Sequence, residues 1–364
     1  MENLLGPKTM TRRTRLARVL VKEIGVLFVS QGNRTVDSPI QVRNYQIKPE
    51  IPVGGRLNFF QKNWEKITDD QWIISIMKEG YKLEFLKKPL GSGIKETSVS
   101  SKNIDILQEE IDILIQKDVI EPVPQQDVHS GFYSTFFLVP KKNGKMRPVI
   151  NLRPLNRYLK KTHFKMDTLN KVINLVKPKD WAISIDLSDA YLHVPLFPKH
   201  RQYLRFCIQG RCYQWKTLCF GPTSAPRVFT KIVSVVAAIL RAQRIRVAIY
   251  LDDWLVVNQN KQHLILDREK CLNLLVSLGF IINNQKSCLV PSQKITYLGG
   301  IFHLDLGIVT PTIERIEKLN LALEKLCLGH NQAKDFLHLL GIMASCIDLI
   351  PNARLYMRPI QLHP

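Results

Sequence analysis

The sequence lacks long apolar runs, cysteine or histidine spacings typical of zinc sites, and the glycine-rich phosphate loop GxxxxGK. No stretch of about eighteen consecutive apolar residues occurs in its 364 residues, so we expect no membrane span and no membrane partner. Its seven cysteines lie singly, without a CxxC pair, which indicates reduced thiols in an intracellular protein of the cytoplasm or nucleus. Without GxxxxGK, a nucleotide-hydrolysing switch of the P-loop class is disfavoured.

Acidic residues are also scarce relative to basic ones. The chain has 52 Lys and Arg against 31 Asp and Glu, a formal net charge of +21. A surplus of this size implies a polyanionic partner, and nucleic acid is the usual one. The alternative is charge that serves only solubility, although the excess is larger than solubility requires.

The order of predicted elements is mixed, which favours an α+β fold. Apolar residues at helical spacing from Ile104 to Ile115 predict a helix, and Asn143-Gly144 between two apolar runs predicts a β-hairpin. The segment Trp181–Tyr191 alternates between apolar and polar residues, which predicts a strand that carries Asp186 on its polar side.

Two acidic sites stand out against this background. Asp252-Asp253 lies inside the apolar run Ile249–Val257, where adjacent carboxylates are costly unless solvent or a cation compensates them. A lone acidic β-turn would explain that pair, but Asp186 on a neighbouring strand would bring three carboxylates together. Carboxylate oxygens suit Mg²⁺, and two such ions about 4 Å apart suit phosphoryl transfer. The second acid of this segment, Asp189, either belongs to the same site or serves as a helix cap or turn former after the strand.

Five blocks of the sequence resemble the motifs of reverse transcriptases, in that family's order across roughly residues 104–302. They are Pro140–Pro148 (fingers hairpin), Asp186–Tyr191 (first palm motif), Phe220–Pro226 (the loop before the palm helix), Tyr250–Asp253 (the YxDD box) and Tyr297–Gly300 (primer grip). Each block alone is a weak signal, whereas the five in order are highly specific.

A narrower resemblance is to the DIRS group of retrotransposons, in which the reverse transcriptase accompanies a tyrosine recombinase. It rests on Val53–Leu57, Gly131–Ser134 and the tryptophan Trp254 that follows the YxDD box.

The resemblance implies a right-hand polymerase fold with fingers, palm and a helical thumb that is complete or truncated. The implied boundaries are a basic, weakly ordered segment (1–52), a small extension and linker (53–100), fingers with the first palm elements (101–182), palm with the YxDD hairpin and primer grip (183–304) and thumb or start of a connection (305–364). In this family a ribonuclease H domain follows, and no spaced acidic set after residue 305 resembles one, so we expect that domain to be absent from these residues.

The implied activity is RNA-directed DNA polymerisation on a primed RNA or DNA template with deoxynucleoside triphosphates. Asp186, Asp252 and Asp253 take the catalytic places and, with the Leu187 carbonyl, would hold two Mg²⁺ or Mn²⁺ ions. The implied nucleotide-binding residues are Lys141, Lys142, Arg147, Asp189, Tyr191, Phe220 and Lys286. Leu298, Gly299 and Gly300 would place the primer terminus.

Two of these nucleotide-binding residues, Tyr191 and Phe220, bear on how the nucleotide would be recognised. An aromatic ring at Tyr191 would reject ribonucleotides by clashing with the sugar 2′-hydroxyl. Phe220 stands where many retroviral enzymes carry Gln and where gypsy-type elements carry Phe, which puts a polar contact to the nucleotide in doubt.

Two other functions remain open on the sequence. One is a catalytically inactive, nucleic-acid-binding remnant of a retroelement polyprotein. The missing downstream domains favour this alternative. The other is a metal-dependent nuclease, which would explain the carboxylates but neither the fingers hairpin nor Tyr191. The oligomeric state is not indicated by any of these patterns.

Overall fold

A computed structural model describes residues 51–98, 101–140, 146–328 and 332–362. The expectation that residues 1–52 are weakly ordered therefore lies outside the described residues, except for Ile51 and Pro52. The described part is a mixture of helices and strands, which confirms the α+β prediction.

The strands are short and are spread along the described residues. They are β1 (Ile120–Pro122), β2 (Phe136–Pro140), β3 (Met146–Ile150), β4 (Trp181–Asp186), β5 (Arg205–Ile208), β6 (Arg211–Trp215), β7 (Arg246–Tyr250), β8 (Asp253–Asn258), β9 (Cys288–Ser292), β10 (Lys294–Tyr297), β11 (Gly300–His303) and β12 (Ile308–Pro311).

The helices alternate with these strands and then dominate the C-terminal part. They are α1 (Gln61–Glu65), α2 (Gln71–Glu79), α3 (Ser101–Gln116), α4 (Arg153–Asn156), α5 (Leu169–Leu175), α6 (Ala225–Ala242), α7 (Lys261–Ser277), α8 (Ile313–Cys327), α9 (Ala333–Ser345) and α10 (Ala353–Gln361). Short 3-10 helices occur at Arg56–Phe60, Gln125–Asp127, Ala190–His193 and Pro198–Tyr203.

The chain divides into two compact units. The larger unit contains the described residues of Val42–Thr168 and Ala182–Pro291, and the smaller unit contains those of Leu169–Trp181 and Ser292–Pro364. The segment Leu298–Gly300 thus belongs to the unit of the C-terminal helices, whereas the resemblance grouped it with the palm. The expected boundary near residue 304 stays a prediction.

The larger unit is built around a four-stranded sheet in the order β7-β8-β4-β9. The strands β7 and β8 are buried along their centres, and Trp254 is completely inaccessible to solvent. The helix α6 covers the sheet with an apolar face that includes Phe229, Ile232 and Val236. Because β4 and β8 are the inner strands, their ends are held by neighbours on both sides.

The two other sheets of the larger unit are smaller. The hairpin β2-β3 pairs Phe136 with Ile150, as the Asn-Gly signal predicted, and a second sheet has the order β1-β6-β5. The expected linker Gly91–Ser101 is packed over part of its length, because Glu96 forms a parallel bridge with Cys207 at the edge of β5. Backbone pairing explains why this Gly- and Ser-rich segment is not a free connection.

The smaller unit combines the antiparallel sheet β10-β11-β12 with the helices α8, α9 and α10. The helices pack through a cluster of buried residues that includes Leu319, Leu323 and Leu339.

Two properties of the whole described chain bear on the expectations above. All seven cysteines are free thiols and five of them are buried, as expected for reduced cysteines. Among the helices that the structure describes, none combines the length and the apolar character needed to cross a bilayer.

Candidate active site

The hairpin β7-β8 carries two of the three candidate carboxylates at its tip. Tyr250 pairs with Asp253, so Leu251 and Asp252 form a two-residue turn. Leu251 has a φ of 58°, a left-handed conformation that is unusual for a residue with a branched side chain. The apolar strands fix the hairpin in the sheet, and the turn therefore presents Asp252 and Asp253 at a defined edge.

The third carboxylate lies at the end of the adjacent strand. Asp186 is the last residue of β4, and the backbone amide of Leu187 donates a hydrogen bond of 3.1 Å to the carbonyl oxygen of Asp252. The C-terminal end of β4 thus meets the N-terminal end of β8, so the two strands run antiparallel. The expectation that Asp186 lies beside the Asp252–Asp253 turn agrees with this geometry.

A loop on the other side of β4 supports Asp186. The backbone amide of Asp186 donates to the Ser287 hydroxyl at 3.0 Å, and the backbone carbonyl of Asp186 accepts from the Asn283 amide at 2.8 Å. Within the loop, the Ser287 hydroxyl donates to the Asn283 carbonyl at 2.7 Å. The carbonyl of Leu187, the predicted metal ligand, is not used in these bonds. Sequence reasoning missed Ser287, because one serine in a polar loop carries no pattern.

Burial and neighbouring negative charge raise the pKa of two of the three carboxyl groups. Burial raises the pKa of Asp253 to about 6, and the negative charges of Asp252 and Asp186 and a side-chain hydrogen bond with Asp186 add to this effect. Burial also raises the pKa of Asp252, with a contribution from the charge of Asp186. The positive charge of Lys286 opposes both shifts but does not cancel them.

The three acids fit a divalent cation by chemistry, although they are not already arranged around one. Carboxylate oxygens are the donors that Mg²⁺ and Mn²⁺ prefer, and a cation would relieve the repulsion that raises these pKa values. Within the described ranges, however, no group of three or more His, Cys, Asp and Glu side chains is spaced to hold a metal ion. The backbone brings the acids together, and their side chains would still have to reorient around a cation.

Aromatic rings lie next to the acids. Tyr191, in the 3-10 helix after β4, is buried and makes edge-to-face contacts with Phe220 at 4.7 Å and Phe229 at 5.3 Å between ring centroids. Burial raises the pKa of Tyr191 to about 12, with contributions from the charges of Asp252 and Tyr250. Phe220 is 60% exposed. An aromatic surface, with Tyr191 buried and Phe220 exposed, therefore borders the carboxylates.

Asp189 faces a basic residue rather than the other acids. Its carboxylate forms an ion pair of 2.7 Å with Lys117, which follows helix α3, and its backbone has a left-handed φ of 52°. This arrangement is what a turn-forming residue needs. Lys117 was missed by sequence reasoning because it is far from Asp189 in the chain and belongs to no motif.

The remaining candidates lie on separate elements. Lys141 and Lys142 lie outside the described residues, and Arg147 pairs with Val139 in the β2-β3 hairpin. Lys286 is exposed in the loop before β9. In the smaller unit, Leu298 and Gly299 form the turn between β10 and β11, with φ values of 47° and 75°, and Gly300 begins β11.

Most of these elements lie in a stretch of the chain that matches one protein-family model. The sequence profile described as reverse transcriptase (RNA-dependent DNA polymerase) matches residues 139–302. Those residues include the three acids and the Leu298–Gly300 turn.

Relatives of the chain are polyproteins of plant viruses and of a yeast transposon. The genome polyprotein of Petunia vein clearing virus (isolate Hohn) is 28% identical over 72% of the chain and 12% of the polyprotein. The enzymatic polyprotein of Cauliflower mosaic virus (strain BBC) is 25% identical over 94% of the chain and 47% of the polyprotein. The transposon Tf2-3 polyprotein of Schizosaccharomyces pombe is 21% identical over 80% of the chain and 21% of the polyprotein. The chain spans less than half the length of each.

Solved structures with the same fold are foamy viral protease-reverse transcriptases. One, in complex with double-stranded DNA, has a TM-score of 0.61 at 18% identity and covers 90% of this chain and 57% of that protein. Another, in complex with an RNA/DNA hybrid, has a TM-score of 0.59 at 16% identity and covers 99% and 43%. At this identity the likeness shows the fold, and it confirms the expected right-hand polymerase fold.

Proposed function

We propose that residues 139–302, which match the reverse transcriptase model, form a reverse transcriptase domain and that the chain is the polymerase core of an RNA-directed DNA polymerase. The reaction is attack of a primer 3′-hydroxyl on the α-phosphate of a deoxynucleoside triphosphate, with pyrophosphate as the leaving group. The observation that carries the proposal is that Asp186, at the end of β4, lies beside Asp252 in the hairpin turn and Asp253 at the start of β8.

The chemistry needs charge neutralisation at a fixed position. Reverse transcriptases use divalent cations, and here Asp186, Asp252, Asp253 and the Leu187 carbonyl would hold two Mg²⁺ or Mn²⁺ ions. Such ions, when bound, supply charge stabilisation for the attacking oxygen and the leaving pyrophosphate. The protein's own contribution is positional: the Leu187–Asp252 backbone bond sets the carboxylates at one edge before substrate arrives.

The incoming nucleotide is proposed to lie between the acids, the aromatic pair and the basic hairpin. Lys141, Lys142 and Arg147 would bind the triphosphate, since ammonium and guanidinium groups suit phosphate oxygens. Tyr191 would face the sugar and Phe220 would border the base, while Lys286 would neutralise the pyrophosphate. The ion pair of Asp189 with Lys117 supports a turn-forming role for Asp189.

The proposed partners are a primed RNA or DNA template and deoxynucleoside triphosphates. The net charge of +21 supports a nucleic-acid partner, as do the two foamy viral structures in complex with double-stranded DNA and with an RNA/DNA hybrid. The turn Leu298–Gly299 with Gly300 would seat the primer terminus.

We propose that the chain comes from a DIRS-type retrotransposon. We also propose that the protein acts in the cytoplasm or nucleus. The relatives include a transposon polyprotein, which supports a retroelement origin at a coarser level. A tyrosine recombinase reading frame beside the gene would support the finer assignment, and an integrase of another class in its place would contradict it.

Primer extension tests the activity directly. The wild-type chain is given poly(rA) primed with oligo(dT), dTTP and Mg²⁺ or Mn²⁺, beside Asp252→Asn and the control Asp69→Asn. Asp69 is an exposed acid before helix α2, so the control removes the same charge away from the site. We expect incorporation by the wild type and the control, and a loss of about 10³-fold or more in Asp252→Asn.

The inactive remnant predicts a different result from the same preparation. It would bind primed template with an affinity that falls steeply with salt, and it would incorporate no dTTP with either cation. That outcome would overturn the proposed polymerase. Incorporation that survives in Asp252→Asn would overturn the assignment of the acids.

A further inference from the structure

The turn between β10 and β11 has an unusual backbone. Tyr297 pairs with Gly300, so only Leu298 and Gly299 lie in the turn, and both have positive φ, 47° and 75°. Two consecutive left-handed residues are the geometry of a type I′ turn, in which Asn and Gly are the preferred residues. Leucine at the first position is unfavourable, because its Cβ crowds the backbone in this conformation. Contacts from outside the hairpin must therefore hold the turn.

Arg315 provides those contacts. It lies in the first turn of α8, and its guanidinium group donates through Nη2 to the Leu298 carbonyl at 3.1 Å and through Nη1 to the Ser345 carbonyl at 2.9 Å. Ser345 ends helix α9, where the last carbonyls have no partner within the helix and favour a positive charge. One planar group thus joins the hairpin turn to the ends of two helices.

The guanidinium group of Arg315 packs closely against Gly299. A Cβ atom built at Gly299 would overlap the guanidinium atoms of Arg315, so a side chain here would displace that group from the turn, and the positive φ also favours glycine. The Thr312 amide, just before α8, also donates to the Gly299 carbonyl at 3.3 Å. The turn and the start of α8 are therefore fastened at two neighbouring points.

We propose that Arg315 is a positioning residue for the Leu298–Gly299 turn and, through it, for the primer terminus. The inference rests on the proposed function, in which this turn seats the primer. The hydrogen bonds of Arg315 connect the turn to the helices α8 and α9. Arg315 would therefore determine the position of the primer terminus without contacting the reacting atoms. A displacement of about 1 Å at such a point lowers catalytic rates by up to about 10²-fold.

The test compares Arg315→Met and Arg315→Lys with the control Lys318→Met. Met keeps much of the length of arginine without its donors, and Lys keeps the charge without the planar fork. Lys318 is exposed one turn further along the same helix, where it pairs with Glu314. For each protein, the extension rate, the KM for dTTP and the Kd for primed template are measured.

We expect Arg315→Met to lower the extension rate by about 10-fold to 10²-fold, with both the KM for dTTP and the Kd for primed template within about twofold of wild type. Arg315→Lys should recover part of the rate, and Lys318→Met should match the wild type. Two results would overturn the proposal: a wild-type rate in Arg315→Met, or a rate that falls in proportion to template affinity, which is what loss of the fold would produce.

Hydrogen exchange makes the test independent of polymerase activity. In Arg315→Met, exchange should become faster in peptides covering residues 297–304 and remain unchanged in those covering residues 319–327 of α8. Unchanged exchange at the turn would overturn the proposal, whatever the activity. If the wild type extends no primer while the variant shows faster exchange, the proposed function fails and Arg315 remains the residue that holds the turn.

Discussion

The amide of Leu187 donates its hydrogen bond to the carbonyl of Asp252, and this one bond ties two chain segments that are far apart in sequence. It joins the end of β4, with Asp186, to the turn of the β7-β8 hairpin. The two residues are thereby placed at adjacent strand ends by the backbone of the sheet. Sites on such elements hold reacting groups more accurately than sites on loops.

The first prediction is that Asp253→Asn stabilises the protein while it abolishes primer extension. A carboxyl group whose folded pKa is raised, here to about 6, destabilises the fold at any pH above that value, because the unfolded chain ionises more easily. Near neutral pH and without divalent cations, we expect the free energy of unfolding to rise by about 1–2 kcal/mol after a discount for solvent screening. Urea unfolding and primer extension measure the two effects.

The same measurements on Asp69→Asn provide the comparison, because that exposed residue loses its charge away from the site. It should leave both quantities near wild type. An Asp253→Asn variant that is less stable than wild type would contradict the cost of the Asp253 charge, which burial and the neighbouring acids impose.

The second prediction concerns the choice of sugar. Tyr191→Val removes the ring that contacts Phe220 and Phe229, so a ribonucleotide would meet less steric opposition. We expect the preference for dTTP over UTP to fall by about 10-fold to 10²-fold. Tyr191→Phe keeps the ring and should keep the preference. Equal preferences in wild type and Tyr191→Val would remove Tyr191 from the sugar site.

The sequence was most informative where signals are local. The Asn-Gly pair predicted the hairpin β2-β3 from a few neighbouring residues, and the resemblance to the YxDD box implied a hairpin around Asp252. Two contacts join segments that are distant in the sequence: the ion pair between Lys117 and Asp189, and the hydrogen bond from the Asp186 amide to Ser287. No local sequence pattern predicts such contacts. The backbone bridge between Glu96 and Cys207 also joins distant segments, and the Gly- and Ser-rich composition from which a linker was predicted gives no sign of it.

The third prediction is structural and concerns Arg205, which is buried in strand β5. Its guanidinium group donates to the carbonyls of Asp127 at 2.6 Å and Ser130 at 2.8 Å and to the side chain of Gln214 at 3.1 Å. Arg205→Met would leave these acceptors without their donor, and we expect a loss of about 2–4 kcal/mol in the free energy of unfolding. Arg211→Met, at an exposed position on β6, should change it little. Equal unfolding midpoints for the two variants would refute the role of Arg205.

The last prediction is a pH dependence of stability that originates at His193. This histidine is fully buried beside Phe280, and burial, with the positive charges of Arg56 and Lys117, lowers its pKa to about 3. An unfolded histidine has a pKa near 6.5, so between roughly pH 6.5 and pH 3 the unfolded chain binds the proton that the folded chain refuses. Stability is therefore complete above the unfolded pKa and is lost as the pH falls below it.

His193→Leu isolates this contribution, because leucine is uncharged at every pH. From roughly pH 7 to roughly pH 5, the wild type should lose about 2 kcal/mol more than the variant in the free energy of unfolding. Urea unfolding of both proteins at several pH values measures the difference, and titrations common to both cancel in the subtraction. A difference that stays constant over this range would mean that His193 takes up its proton in the folded protein as readily as in the unfolded chain, and hence that its surroundings are less closed to water than its burial indicates.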